Sequence, residues 1–281
     1  MKIAIVTDST SDLSEEIAKQ YGITIVPLNV HFGLETYQDG ITIKSDEFYE
    51  RLTSGSELPT TSAPSPGLFT QTYEKLSENH DGIISIHVSS KLSATFSAAL
   101  EGSNGIKIPV QVIDSETSSA ALSLIVIGVA EAVKSNINMD KAKSISESLI
   151  KRTKIFFTLD TLEYLIKGGR IGKAQGLIGS LLKMKPILGV DEGEVISVEK
   201  IRSKKKAYER MHELAVEHEG YLQGATIYST DDSQSKILAE SLKSICESDI
   251  LSLRLGPVVG TYGGPDVVGF AVVLPNEADG N

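Results

Sequence analysis

Over its first 134 residues the chain alternates short apolar, β-branched runs with segments whose apolar positions recur at helical spacing. Lys2–Val6, Thr24–Val30, Gly82–Val88 and Val110–Ile113 read as strands, with a hairpin-type excursion through Glu35–Ile43. Between them the pattern predicts helices near Ser14–Gln20, over Asp46–Leu52 ending at Gly55, over Gly67–Asn79, and over Leu92–Glu101. Ser65-Pro66 is a helix start, an N-cap hydroxyl followed by proline at the first helical position. Asp114-Ser115 is read as the cap of a long buried helix, Ser118–Lys134. Strands alternating with helices imply a parallel sheet covered on both faces.

Past a helix at Asp140–Arg152 the pattern changes. Apolar runs at Ile155–Thr158, Ile187–Asp191, Glu194–Glu199, Gly224–Tyr228, Leu251–Leu253 and Val267–Val273 mix with helices at Ser203–Glu217 and Ser233–Glu247. Asp191-Glu192-Gly193-Glu194 reads as a tight hairpin turn, so the second half reads as α+β with antiparallel pairs. The chain is therefore expected to be an α/β protein of two domains, 1–153 and 154–281, consistent with its 281 residues.

The segment joining the halves, Thr158–Leu188, is the most informative. A short strand leads to an amphipathic helix, then to a tight Gly168-Gly169-Arg170 turn that holds a cation. A second helix is predicted from Leu177, Ile178, Leu181 and Leu182, with Pro186 beyond it. Gly176 and Gly179 inside it each cost roughly 1 kcal/mol relative to alanine. Close approach of another helix or of an apolar ligand would explain either one.

Composition narrows the function classes. A formal net charge of -10 argues against general nucleic-acid binding, although Lys200, Arg202, Lys204, Lys205 and Lys206 form a local basic run. That run is either a solvated helix start or a docking patch for an acidic partner. One cysteine, Cys246, allows no internal disulfide, and no signal-peptide pattern precedes the first strand; both fit a cytoplasmic protein. The longest apolar run, Ala120–Val133, is interrupted by Ser123 and Glu131 and is too short to span a bilayer.

The familiar catalytic signatures are missing. Gly172-Lys173 lacks the rest of a P-loop, no G-x-G occurs, and no G-x-S-x-G elbow occurs. His212-Glu213 has Val216 where a zinc-binding helix needs its second histidine, so no metal site is expected. What the first half does offer is hydroxyls where strands give way to helices, at Thr60-Thr61-Ser62-Ala63-Pro64-Ser65-Pro66 and Ser89-Ser90-Lys91-Leu92-Ser93-Ala94-Thr95. In an open α/β sheet such loops gather at the carboxyl ends of the strands, where helix N-termini favour an anion. Helix capping alone is the competing reading.

Thr7-Asp8-Ser9-Thr10-Ser11-Asp12-Leu13, Thr61-Ser62-Ala63-Pro64-Ser65-Pro66-Gly67, Ser89 to Thr95, Ile113-Asp114-Ser115 and Leu162–Lys185 form five ordered blocks along the whole chain. In them the chain resembles the DegV family, the fatty-acid-binding subunits of bacterial two-component fatty acid kinases. The resemblance implies a long-chain fatty acid in a tunnel between the domains, its carboxylate held by Thr61, Ser62 and Ser93. It implies no cofactor and a role for Arg170 in steadying the carboxylate or a phosphate forming on it. Leu162, Leu165, Ile166, Ile178 and Leu182 are plausible tunnel walls, with ordinary inter-domain core as the alternative. By the same resemblance Arg202 and Tyr262 belong to a kinase-docking surface, and the acyl phosphate feeds phospholipid synthesis.

The chain departs from the family pattern where Tyr262 and Asp266 stand in Gly260–Asp266 in place of a frequent histidine and a glycine, and where Ala63 and Ala94 replace a usual glutamine and glycine. The expected function is that of a monomeric, non-enzymatic lipid-binding protein that presents a carboxylate to a separate ATP-dependent kinase. The alternatives are a small hydrolase or phosphotransferase using Ser93 or Asp8, and a lipid-sensing regulator that binds a partner through the basic run.

Overall fold

The computed structural model describes residues 1–55, 58–178, 184–217 and 220–275. Its strands are β1 (Ile3–Asp8), β2 (Ile23–Val26), β3 (Asn29–Phe32), β4 (Glu35–Gln38), β5 (Thr60–Ser62), β6 (Gly82–His87), β7 (Val110–Asp114), β8 (Thr153–Thr158), β9 (Lys185–Asp191), β10 (Glu194–Ile201), β11 (Gln223–Tyr228), β12 (Leu251–Arg254) and β13 (Val268–Val273). The helices are α1 (Glu15–Tyr21), α2 (Ser45–Ser54), α3 (Pro66–Ser77), α4 (Thr95–Gly102), α5 (Ser119–Val133), α6 (Met139–Arg152), α7 (Glu163–Lys167), α8 (Lys204–Ala215), α9 (Ser233–Lys243) and α10 (Pro257–Gly263).

The first half builds a four-stranded parallel sheet in the order β2-β1-β6-β7. Strands β1 and β6 are buried along their whole length, which explains why they read as continuous apolar runs rather than alternating ones. A small antiparallel sheet, β4-β3-β5, lies beside it. The second half forms a six-stranded mixed sheet in the order β10-β9-β8-β13-β11-β12, antiparallel except for the β11–β12 pair.

Helix α5 joins the two sheets. It is apolar on every side, with eleven of its residues buried, and packs against β1 and β6 as well as β8, β11 and β13. Its N-cap is Ser118, not Asp114-Ser115, which turn the chain upstream of it. The six-stranded sheet divides its side chains accordingly. Phe156 and Phe270 face the core under α8 and α9, while Ile155, Phe157 and Ile227 face α5 and the first half.

Two local readings change. A 3-10 segment, Gly172–Leu177, follows the Gly168-Gly169-Arg170 turn, whereas the second helix predicted from Leu177, Ile178, Leu181 and Leu182 runs into residues 179–183, which include Gly179 and lie outside the described residues. A Cβ built on Gly176 meets nothing within 4 Å, so close packing is not the reason for that glycine. Helix α4 begins at Thr95, three residues after Leu92, because the preceding loop is held by its own Ser89 and Ser93 hydrogen bonds.

Candidate ligand site

The order β2-β1-β6-β7 places a topological switch point between β1 and β6, where the connections leave in opposite directions and open a crevice at the carboxyl ends of the strands. Residues 8–12 follow β1 there, residues 88–95 follow β6, and the start of α5 follows β7. The crevice continues into an apolar cavity of about 320 Å³ between the sheets, within the size range of small-molecule sites. Its apolar walls include Leu28, Val88, Ile155, Phe157, Leu165, Val190, Ile227 and Val258; its polar positions are Thr10, Thr61, Ser62, Ser93, Ser118, Ser119, Arg170 and Tyr262.

The Thr7-Asp8-Ser9-Thr10-Ser11-Asp12 run is the knot that shapes this end. Asp8 is fully buried; its Oδ1 accepts the Thr10 N–H (3.0 Å) and hydroxyl (2.6 Å), and its Oδ2 accepts the Val88 N–H (3.0 Å) beside His87 Nδ1 at 2.9 Å. Ser9 Oγ accepts the Leu28 N–H at 3.1 Å. Asp12 accepts the Ser119 hydroxyl (2.5 Å) and the Gly256 N–H (2.8 Å), which ties the first half to the start of α10. Burial raises the Asp12 carboxyl well above its ordinary range, against the pull of those two donors.

The hydroxyl loops follow. Thr61 and Ser62 lie on β5, which pairs Val30↔Thr61 and Asn29↔Ser62, so their side chains leave opposite faces of the small sheet. Thr61 turns inward, its Oγ1 2.6 Å from the hydroxyl of Tyr262. The Ser62 hydroxyl is engaged by His31 Nε2 (3.0 Å) and Asn29 Nδ2 (3.2 Å), while the residue borders the cavity. Ser93 Oγ lies 2.8 Å from Thr95 Oγ1 and accepts the Thr95 N–H, holding the turn just before α4 while lining the cavity. Ala94 sits at φ -74°, a conformation any residue adopts, so its substitution for glycine brings no backbone strain.

Arg170 reaches across from the second half. Its Nε donates to Leu92 O (3.1 Å) and its Nη1 to Gly168 O (2.7 Å), while its guanidinium lies 4.9 Å from the Tyr262 ring centroid. Two of its five N–H donors are thus engaged, and the side chain still borders the cavity.

The remaining predicted residues divide between the cavity, the core and the surface. Leu165 lines the cavity. Leu162 is 1% exposed in the core behind it, whereas Ile166 and Ile178 are 37% and 49% exposed on the outside, because α7 is a short turn and the 3-10 segment ends at Leu177. Those three do not border the cavity in this structure. Arg202 is exposed just before α8, and Lys204 of the same basic run pairs with Asp160 (2.9 Å) and Asp266 (3.5 Å). Tyr262 lines the cavity and bonds Thr61, so its hydroxyl is not presented to a docking partner.

Asp8 is enclosed by four hydrogen bonds with three residues, Thr10, His87 and Val88, and among the described residues Ser93 has no histidine hydrogen bond. An Asp8–His87–Ser85 chain does exist, with His87 Nε2 2.7 Å from Ser85 Oγ, but Ser85 is fully buried against Tyr73 (2.8 Å) and cannot meet a substrate. Among the described residues no group of three or more His, Cys, Asp or Glu side chains could hold a metal ion, and no helix is long and apolar enough to cross a membrane.

A family model described as "Uncharacterised protein, DegV family" matches residues 2–274. A DegV domain-containing protein of Halalkalibacterium halodurans is 38% identical over 276 residues, covering 96% of this chain and 98% of that protein. Protein DegV of Bacillus subtilis is 37% identical over 277 residues, with the same coverages of 96% and 98%. Two solved structures superpose closely. A fatty-acid-binding DegV family protein from Thermus thermophilus has a TM-score of 0.91 at 31% identity, covering 98% of this chain and 100% of that one. DegV of Bacillus subtilis, described as a fatty acid binding protein, has a TM-score of 0.89 at 34% identity with coverages of 98% and 100%.

Proposed function

The chain belongs to the DegV family, and from that premise we propose that it binds one long-chain fatty acid, tail in the apolar cavity and carboxylate at the Thr61–Ser93–Arg170 end. One observation carries this reading: an apolar cavity between the sheets whose polar groups gather from the β5, β6–α4 and Gly168–Arg170 segments. Burial of an acyl chain contributes up to about 0.8 kcal/mol per CH₂. A buried carboxylate without donors would cancel that gain, so the hydroxyls and the Arg170 guanidinium supply what the tail cannot.

These donors hold the carboxylate without protonating it. Its free oxygen remains a nucleophile toward the γ-phosphorus of ATP on a partner kinase, with ADP leaving and an acyl phosphate formed. The chain has no P-loop or dinucleotide fingerprint, and we assign phosphoryl transfer to the partner, with exposed Arg202 in its docking surface. In this reading the units 1–153 and 154–281 each contribute one wall of the tunnel, and the protein works as a cytoplasmic monomer.

Denaturing the purified protein, extracting it with organic solvent and analysing the extract by mass spectrometry tests the binding. The wild type is expected to yield about one fatty acid per chain, and Ser93→Ala to yield several-fold less. An extract empty of lipid, with no thermal shift on adding C14 to C18 fatty acids, would overturn the proposal. Acyl phosphate formed only when kinase and ATP are both added would support the presenting role; acyl phosphate turnover by the chain alone would contradict it.

A further inference from the structure

A second crevice, of about 1030 Å³, opens where α1 and β2 meet β12 and the start of α10, and none of its lining residues borders the apolar cavity. Leu13, Ile17, Ile23, Ile25, Leu253 and Pro257 form its apolar wall. Asp12 and Asp39 meet at Gly256, where an added Cβ would stand 3.2 Å from Asp12 Oδ1 and 3.1 Å from Asp39 Oδ1. Gly256 has φ -72°, which any residue adopts, so glycine provides space there rather than backbone freedom. Asp12 is satisfied by Ser119 and Gly256, whereas Asp39 is 4% exposed and its Oδ2 has no hydrogen-bond partner. Lys44 donates to Gly40 O, and Arg254 to Asp46 (2.5 Å) and Ser229 O (3.0 Å), so these two cations of the crevice are engaged elsewhere.

We infer that this crevice binds a small organic primary ammonium compound, its N–H groups donating to Asp39 and its body lying on the apolar wall. A buried carboxylate oxygen without a partner is costly, and a donor that carries positive charge satisfies it best. A metal ion fits less well, because among the described residues no three carboxylate, histidine or cysteine groups gather to hold one. Burial, and after it the charge of Asp8, pushes the Asp39 carboxyl up to about 7, against the pull of Ser9, Val258 and Lys44. Asp12 and Tyr49 also interact with its charge, and Glu15, Lys19, Asp46 and Arg254 are the other charged groups lining the crevice. An ammonium ion binds the ionised carboxylate, so binding releases the Asp39 proton and strengthens as pH rises through 7.

The experiment is a calorimetric titration of the purified full chain with phenethylamine, phenethyl alcohol, phenethyltrimethylammonium and magnesium chloride at pH 6, 7 and 8. The primary amine is expected to bind at about one per chain and to lose roughly tenfold in affinity between pH 8 and pH 6, as Asp39 takes up its proton. The alcohol, which lacks the charge, and the quaternary ion, which lacks N–H groups, are expected to bind about tenfold more weakly or less. Asp39→Asn is expected to remove both the binding and its pH dependence, and Gly256→Ala, which fills the space between the carboxylates, to weaken it. Amine binding that survives Asp39→Asn, or that the alcohol matches, would overturn the inference, as would no heat from the amine up to about 10 mM. Magnesium binding that displaces the amine would reassign the crevice to a metal ion and overturn it equally. The wild-type comparison of amine, alcohol and quaternary ion decides the inference even where the asparagine variant fails to fold.

Discussion

Asp39 is 4% exposed, and its Oδ2 has no hydrogen-bond partner. Burial pushes its carboxyl from 3.8 up to about 7, against the pull of the Ser9 hydroxyl and the Val258 N–H. A folded-state value above the unfolded one means that folding favours the protonated acid. That contribution is complete below about pH 4 and is lost as pH rises through 7. Asp39→Asn keeps the shape without the charge. Its stability relative to wild type is expected to rise between pH 5 and pH 8 by on the order of 1–3 kcal/mol, measured by urea unfolding at each pH. A difference independent of pH would show that Asp39 carries no buried charge. Because Asp39 and Asp12 both hold the start of α10 through backbone N–H groups, this cost sits beside the element that carries Tyr262.

At the level of elements, the site depends on two reciprocal contacts. Tyr262 of α10 lies on Gly168, and Tyr164 of α7 lies on Gly264, where an added Cβ would meet the ring at 2.5 Å. Gly264 also has φ +79°, a conformation that favours glycine. Gly264→Ala is therefore expected to destabilise the protein by about 2–3 kcal/mol in chemical unfolding and to weaken ligand binding, with Gly169→Ala, open around its Cβ, costing only the backbone strain of roughly 1 kcal/mol. Equal costs at the two positions would contradict the interlock. Neither contact was legible in the sequence, because α10 reads as a glycine-rich turn. Its one local signal was Gly256-Pro257, a proline at the first helical position. Strand β5 was hidden for a different reason: three residues carry no periodicity, and only pairing with β3 makes them a strand. The long elements were legible because burial is written into them, as in the mostly apolar runs of β6 and α5.

At the scale of the whole molecule, strand–helix alternation pointed to the carboxyl ends of the parallel strands, but the order β2-β1-β6-β7, which sets the switch point between β1 and β6, is visible only in the structure. Hydroxyl-rich loops and Arg170 were visible there as candidate chemistry, and the structure brings Thr61, Ser93 and Arg170 to one cavity. The cavity's walls were not visible. Ile155, Phe157, Val190 and Ile227 come from four strands of the far sheet and look like ordinary core in sequence, whereas Ile166 and Ile178 looked like walls and face outward. Which apolar residue borders a ligand depends on how two sheets and α5 meet, and no local pattern encodes that.

The central claim is that the carboxylate lies among these donors while the tail fills the cavity. It is tested most directly by ¹³C NMR of palmitate labelled at the carboxyl carbon, titrated with delipidated protein and then with acid. The account predicts one bound resonance in slow exchange at one ligand per chain, displaced from the free position and holding its ionised shift at least one pH unit below the free acid's midpoint, because donors that favour the charged form lower its pKa. A bound carboxyl resonance that titrates with the free acid, in wild type and Ser93→Ala alike, would place the head group in solvent and contradict the account.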